Sequence, residues 1–365
     1  MRQRILLFLI SMLAGTLTLP AQDKAEQIRL IRQAYASAQQ MVANNGKDGN
    51  AAYDVCVRFS TATEVDENLT IEDDTEVYYY FTKKRIYNPD DELFYDKNIC
   101  YFIIEKWGAN GHTRYREMLF DEKDGHLLFS YEKTETHAGY TEESRYYYDA
   151  SGRCIEKKIK GSQDTGNGQD GGEAYRNVAN RYINIFDRLM NNGTLPLQPS
   201  KVVQKVTPKA DRIQYIRKKY GEAKAQTNKK GGNNLTIIIH DQEEGECPPE
   251  TRVITYDFSE WDDGQAPMYR CYFITEESKT MMYQQYDEYL FDPTTKNPTP
   301  VVPIFNYSRA REEGNQWEWR YYFNERNECF EAKTNYEEHD GGEAARLRCE
   351  RLLSIFHDMA NSSQQ

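Results

Sequence analysis

Positive charge is in short supply in this chain, and no long apolar run occurs after residue 19. Forty-six Lys and Arg stand against 58 Asp and Glu, a formal balance of −12 over 365 residues. Nucleic-acid backbones are held by clustered Lys and Arg that release counterions. Here the basic residues are interleaved with more numerous acids, which argues against a nucleic-acid partner and disfavours an anionic membrane surface. Histidine numbers only six, with no His-Glu-x-x-His array and no Cys-x-x-Cys pair, so no metal site is expected. A Gly-x-Ser-x-Gly elbow and a phosphate-cradling glycine loop are also missing, and no cofactor is implied. Apolar residues make up 39% of the chain, but 28 Tyr and 15 Phe supply large amphipathic rings that can build a core.

The single apolar run is at the start. Arg2 and Arg4 precede Ile5 to Leu19, and the segment ends Leu19-Pro20-Ala21-Gln22. A short basic start, an apolar centre and a small residue at the break read as a secretory signal peptide over residues 1–21, cleaved near Ala21. A transmembrane anchor needs about 20 strongly apolar residues, and Gly15, Thr16 and Thr18 dilute this run. The expectation is an exported chain, periplasmic or extracellular, with no transmembrane segment after cleavage.

Comparing the chain with itself is the most informative step. Cys100-Tyr101-Phe102-Ile103, Glu105, Tyr115, Glu117, Leu119, Phe120 and Asp121 return 171 residues later as Cys271-Tyr272-Phe273-Ile274, Glu276, Tyr286, Glu288, Leu290, Phe291 and Asp292. A second block, Arg145-Tyr146-Tyr147-Tyr148-Asp149 to Cys154, returns as Arg320-Tyr321-Tyr322-Phe323-Asn324 to Cys329. Ile28, Ile31, Tyr35 and Ala38 match Ile213, Ile216, Tyr220 and Ala223, a spacing that places each set on one helical face. Each half closes on Asp-Gly-Gly-Glu, at 170–173 and 340–343, followed by apolar residues at helical spacing. The Asp is expected to cap the helix and the Glu to reach back in a capping box. The reading is α+β, in two tandem copies, each an antiparallel β-sheet with one amphipathic helix before and one after it. The copies span 22–194 and 209–365, with a Pro-containing linker over 195–208.

Between the helices of the first half, Thr75 to Lys83, Cys100 to Trp107, Thr113 to Phe120 and Ser144 to Tyr148 alternate at period two, as half-buried antiparallel strands do. Asp149-Ala-Ser-Gly152 fits a hairpin turn with a left-handed Gly, and Asn327 stands at the matching position in the second half. Asp121 to Gly125 suggests another hairpin. The aromatic-Tyr-Asp-x-x-Gly-x-aliphatic texture resembles the hairpins of secreted YD-repeat proteins over two short stretches, and this resemblance carries no activity with it.

Of seven cysteines, Cys100 and Cys154 match Cys271 and Cys329. Either each pair forms a disulfide within its copy, or all four are small strand residues; Cys349, on the apolar face of the last helix, reads as a buried thiol. The loop 161–172, with Asp164, Asn167 and Asp170, fails the EF-hand spacing.

Two sets of candidate site residues follow. Rigid amphipathic rings suit glycan or protein contact, which singles out Trp317, Trp319, Tyr146, Tyr321 and Trp107 as a binding face. The carboxylates shared by both halves, Glu117 with Asp121 and Glu288 with Asp292, would be the acid/base pairs of a hydrolase of envelope or dietary polymer; their structural alternative is cross-strand pairing and turn formation. The leading expectation is a secreted, non-catalytic binding module of the bacterial envelope, with a glycan or an envelope protein as partner.

Overall fold

The computed structural model describes residues 24–45, 54–66, 69–88, 93–161, 172–191, 207–227, 233–241, 250–262, 267–280, 282–292, 303–312, 314–335 and 340–360. The expected signal segment, the expected linker up to residue 206, the loop residues 162–171 and Cys247 lie outside these.

Fourteen strands form one antiparallel sheet, and this corrects the expectation of two tandem sheets. In chain order they are β1 (Val55–Asp66), β2 (Leu69–Asn88), β3 (Leu93–Ala109), β4 (His112–Phe120), β5 (Leu127–Glu135), β6 (Thr141–Tyr148), β7 (Cys154–Lys160), β8 (Asn234–Asp241), β9 (Glu250–Asp262), β10 (Pro267–Lys279), β11 (Tyr283–Leu290), β12 (Phe305–Glu312), β13 (Asn315–Phe323) and β14 (Cys329–Thr334). Their order across the sheet is β14-β13-β12-β11-β10-β9-β8-β1-β2-β3-β4-β5-β6-β7. The physical reason is the length of the first ribbon. β2 runs for 20 residues, well beyond the alternating stretch Thr75 to Lys83, and β1 offers its free backbone edge to β8.

The chain packs as two compact units. One comprises the described residues among Met1–Val55 and Thr75–Asn192; the other comprises those among Cys56–Asp74 and Gly193–Gln365.

In the first unit, helix α1 (Lys24–Asn44) covers one sheet face and α2 (Glu173–Met190) the other. Ile28, Ile31 and Ala38 of α1 bury against Phe102, Leu119, Phe129 and Tyr147. On the opposite face, Tyr79 and Phe81 lie 5.8 and 5.6 Å from the ring of Phe186, and Tyr79 meets Tyr182 edge-on. Helices on both faces explain the consecutive tyrosines. Neighbouring strand residues point to opposite faces, yet Tyr146, Tyr147 and Tyr148 are all buried. A sheet covered on one side would have left every second ring in water; each ring buried instead stabilises by about 1.5–3 kcal/mol.

In the second unit, α3 (Lys209–Thr227) sets Ile216 and Ala223 against Phe273, Leu290, Phe305 and Tyr322. On the other face α4 (Glu343–Ala360) packs Phe356 at 5.7 Å from Tyr256 and 5.3 Å from Phe258. Among the described residues no helix is long and apolar enough to cross a membrane.

At α4 only the Asp half of the expected box forms, and Asp170, the Asp expected to cap α2, lies outside the described residues. Asp340 accepts the backbone N–H groups of Gly342 and Ala344 at 2.8 and 2.6 Å, but Glu343 turns outward to Arg346. At α2 the position before the helix is Gly172, in the left-handed region with φ +80°. A Cβ there would sit 2.8 Å from the Tyr148 hydroxyl, which donates to the Gly172 carbonyl at 3.0 Å. Only glycine allows that approach without strain.

Candidate functional site: an aromatic pocket with two arginines

The carboxylates singled out for acid/base work are already engaged. Glu117, buried on the α1 face, accepts hydrogen bonds from the hydroxyls of Tyr35 and Tyr115 and, at 3.2 Å, from Gln39. Burial, and then the Glu117 charge, push both tyrosine hydroxyls well above their ordinary range. Glu288 on the α3 face accepts from Tyr220, from Tyr286 at 2.7 Å and from Lys224 at 2.7 Å. Asp121 folds onto its own turn, accepting the Lys123 N–H at 2.7 Å. Asp292 accepts from Tyr215 at 2.7 Å, with Arg212 3.7 Å away. At 3.3 Å per residue, Glu117 and Asp121 are about 13 Å apart along the chain, beyond the roughly 5–9.5 Å that glycosidic acid/base pairs keep.

Asp121, Asp124 and His126 bring one ligand atom each to within 4.8 Å of one another at the β4–β5 turn. They do so through the turn itself, with Asp124 bonded to the His126 backbone at 3.2 Å and to its ring.

The aromatic candidates divide between the units. Trp317, Trp319 and Tyr321 alternate along β13 onto the face that α4 covers; the two tryptophans are half-buried and Tyr321 is buried. Tyr146 belongs to the first unit, buried beneath α2, 4.3 Å from the ring of Tyr175. Trp107 lies on β3 with the Arg114 guanidinium 5.2 Å from its ring. The structure thus gathers three of the five and places the other two elsewhere.

The possible disulfides are corrected: Cys100, Cys154, Cys271 and Cys329 are free thiols. β3 and β7 are separated by three strands, as are β10 and β14. At about 4.8 Å per strand spacing the partners would stand ~19 Å apart, against the roughly 7 Å between Cα atoms that a bridge allows. Cys100 and Cys271 sit buried with each Sγ near the carbonyl two residues on. Burial pushes the Cys100 thiol well up, so it stays protonated. Cys349 is a buried thiol as well.

A cavity of 370 Å³ opens on the α3 face of the second unit. Its floor is apolar, made by Ile216, Phe305 and Tyr322, all buried. Tyr220 and Tyr307 form the walls, half-buried. Two exposed guanidinium groups, Arg217 and Arg320, stand at the mouth. The rings are fixed by mutual packing: Tyr220 meets Phe305 edge-on at 5.2 Å, and Phe305 meets Tyr322 at 5.0 Å. The Tyr220 hydroxyl is tied down to Glu288. Arg320 lies 5.4 Å from the Tyr307 ring and donates to Glu318 at 3.0 Å. The Arg217 side chain makes no hydrogen bond, ion pair or ring contact among the described residues. A rigid aromatic floor and walls with two fork-shaped donors at the rim can hold a flat or ring-shaped molecule and pair with an anion on it.

This pocket and the Trp317–Trp319 face lie on opposite sides of the sheet. Arg320 and Tyr322 of β13 point into the pocket, whereas Trp319 and Tyr321 point away from it. The helix match at Ile31 and Ile216 had an overlooked neighbour, since each is followed by an Arg, Arg32 and Arg217. Phe129-Ser-Tyr131 returning as Phe305-Asn-Tyr307 was a further signal. Comparison with known protein families, with curated proteins and with solved structures gave no match.

Proposed function

We propose that the protein is an exported, non-catalytic binding module of the cell envelope, and that the second unit takes a small ring bearing a carboxylate, a sugar acid of an acidic glycan. The observation that carries this reading is the 370 Å³ pocket with three tyrosines, a phenylalanine and two exposed arginines around it. That volume lies at the lower end of the roughly 300–1,000 Å³ of small-molecule sites, which suits one ring at a chain end rather than a folded partner. In a chain of net charge −12, two guanidiniums brought together at one apolar floor favour an anion locally, and Arg pairs bidentately with a carboxylate. The hydrolase reading gains no support, because Glu288 is held by Tyr220, Tyr286 and Lys224 and the described residues that line the pocket include no carboxylate. Duplicated sequence fits a binder, since two linked sites can add avidity without new chemistry.

The test is calorimetric titration of the purified chain with glucuronate and galacturonate, with glucose as the neutral control. Binding of the acids over glucose is expected, weakened about tenfold or more by Arg217→Ala with Arg320→Ala. Equal heats for acid and neutral sugar, or none for either, would overturn the assignment.

A further inference from the structure

The pocket of the second unit has a counterpart, residue by residue, in the first. On the helix, Ile216, Arg217 and Tyr220 match Ile31, Arg32 and Tyr35; on the strands, Phe305 and Tyr307 match Phe129 and Tyr131, and Arg320 and Tyr322 match Arg145 and Tyr147. The geometry matches too. Tyr35 lies 4.5 Å from Phe129, where Tyr220 lies 5.2 Å from Phe305. Phe129 meets Tyr147 at 5.0 Å and 53°, as Phe305 meets Tyr322. Arg145 stands 5.1 Å from the Tyr131 ring across the strand pair, and Arg320 stands 5.4 Å from Tyr307. Each helix tyrosine donates to the buried glutamate below it, Glu117 or Glu288.

Such sameness is not general between the units. On the opposite sheet face Arg116 stands where the second unit has Asp287, and Ser144 where it has Trp319. Packing explains the shared rings, but not the arginines. Arg32 and Arg145 keep 51% and 40% of their side chains in water, and exposed charges of that kind contribute little to stability.

One feature separates the two. Arg32 lies over the ring of Tyr147, 5.4 Å from its centroid, donates from Nε to the Tyr147 hydroxyl at 3.3 Å, and approaches Glu156 at 3.9 Å. In the second unit the acid matching Glu156 is Glu331, and it is paired with Lys209, with Lys333 at 3.9 Å. Among the described residues Arg217 has no such anchor.

We infer that the first unit carries a second site for the same acidic ring, latched by Arg32 lying on Tyr147, so that the chain binds two equivalents: one at the open pocket and one at the latched pocket. This rests on the sugar-acid reading of the second unit. A ligand carboxylate competes with the Tyr147 hydroxyl and Glu156 for Arg32, so the latched site is the weaker by the differential affinity of the two arrangements.

The experiment is an NMR titration of the full-length mature chain with glucuronate, following the ring signals of Tyr147 and Tyr322. In the wild type Tyr322 is expected to shift first and Tyr147 at about three- to tenfold higher ligand. In Arg217→Ala with Arg320→Ala, the Tyr322 response is lost and that of Tyr147 stays. Adding Glu156→Gln to that background removes the weaker of the two holds on Arg32, since Glu156 lies 3.9 Å from it and pairs with Lys158 at 2.8 Å, and tightens the remaining site by about twofold or more, while adding Arg145→Ala abolishes it; native amide spectra show that each variant is folded. Loss of all binding in the Arg217/Arg320 variant, unrestored by Glu156→Gln, overturns the second site and leaves the first standing. No shift at either tyrosine in the wild type overturns both.

Discussion

The two units solve the same buried-charge problem with different residues. On the α2 face, Glu105 of β3 is almost wholly buried and sits opposite Arg116 of β4, which bonds it at 2.7 Å; Arg114 adds a second bond at 2.8 Å. Burial alone would push Glu105 up, but Arg116 and Arg114 hold it below the usual carboxylate range. In the second unit Glu276 faces Asp287 at the matching register, a carboxylate where the first unit has a cation. The countercharge comes instead from the helix: Arg348 of α4 grips both oxygens of Glu276, and Arg252 stands 3.6 Å away. Burial drives Asp287 up to about 6, aided by the charge of Glu276 and opposed by hydrogen bonds from Ser308 and Gln285. One unit therefore balances the charge between strands, the other between sheet and helix. The lesson is that a buried carboxylate constrains where a cation must lie, and not which element must bring it.

The comparison breaks most readily at Arg348. Arg348→Ala leaves Glu276 and Asp287 buried together and is expected to cost about 3–5 kcal/mol, with loss of amide protection confined to α4 and β10–β11. Arg116→Ala should cost less, because Arg114 still holds Glu105. Equal losses in hydrogen exchange and urea unfolding would show that the helix-borne cation is no more critical than the strand-borne one.

Asp287→Asn sharpens the contrast by pH. Its carboxyl is held above the ordinary 3.8, near 6, so the unfolded chain gives up the proton first and stability falls as pH rises from about 4 to about 6. The Asn variant should be the more stable by up to roughly 3 kcal/mol above that window and show no advantage at its acid end. Urea midpoints at pH 4 and pH 8 check this; an equal gain at both would assign the effect to packing.

The smallest expected difference lies at the helix tyrosines. Tyr35→Phe takes a donor from Glu117, which among the described residues has Tyr115 and Gln39 left but no cation, and should cost about 1–2 kcal/mol. Tyr220→Phe leaves Glu288 with Lys224 and Tyr286 and should cost about 1 kcal/mol less. Thermal unfolding of the two variants makes the comparison.

Much of the local structure was written in periodicity. Ile28, Ile31 and Ala38 are the buried stripe of α1, and Gly152 and Asn327 take φ +74° and +65° at matching turns, as the turn chemistry of Gly and Asn implies. The disulfide reading failed for lack of strand order: spacing in sequence says nothing of the strands that lie between two cysteines. The aromatic candidates were chosen by ring size, which does not tell one sheet face from the other, so Trp317 and Trp319 drew attention while Arg217 did not. Arg217 in particular sits in a helix rich in Lys and Arg, where no single guanidinium has a distinguishing pattern.

The order of residues alone determined which stretches alternate and which wind, because period two and period 3.6 are properties of the single chain. It also determined which positions recur between the halves. Only the tertiary structure decided that β1 meets β8 to make one sheet, that both faces are covered, and that Arg32 folds onto Tyr147 while the Arg217 side chain meets no such partner among the described residues. Those outcomes depend on backbone edges and charged groups distant in sequence coming within a few ångströms, and pairing of that kind leaves no period behind.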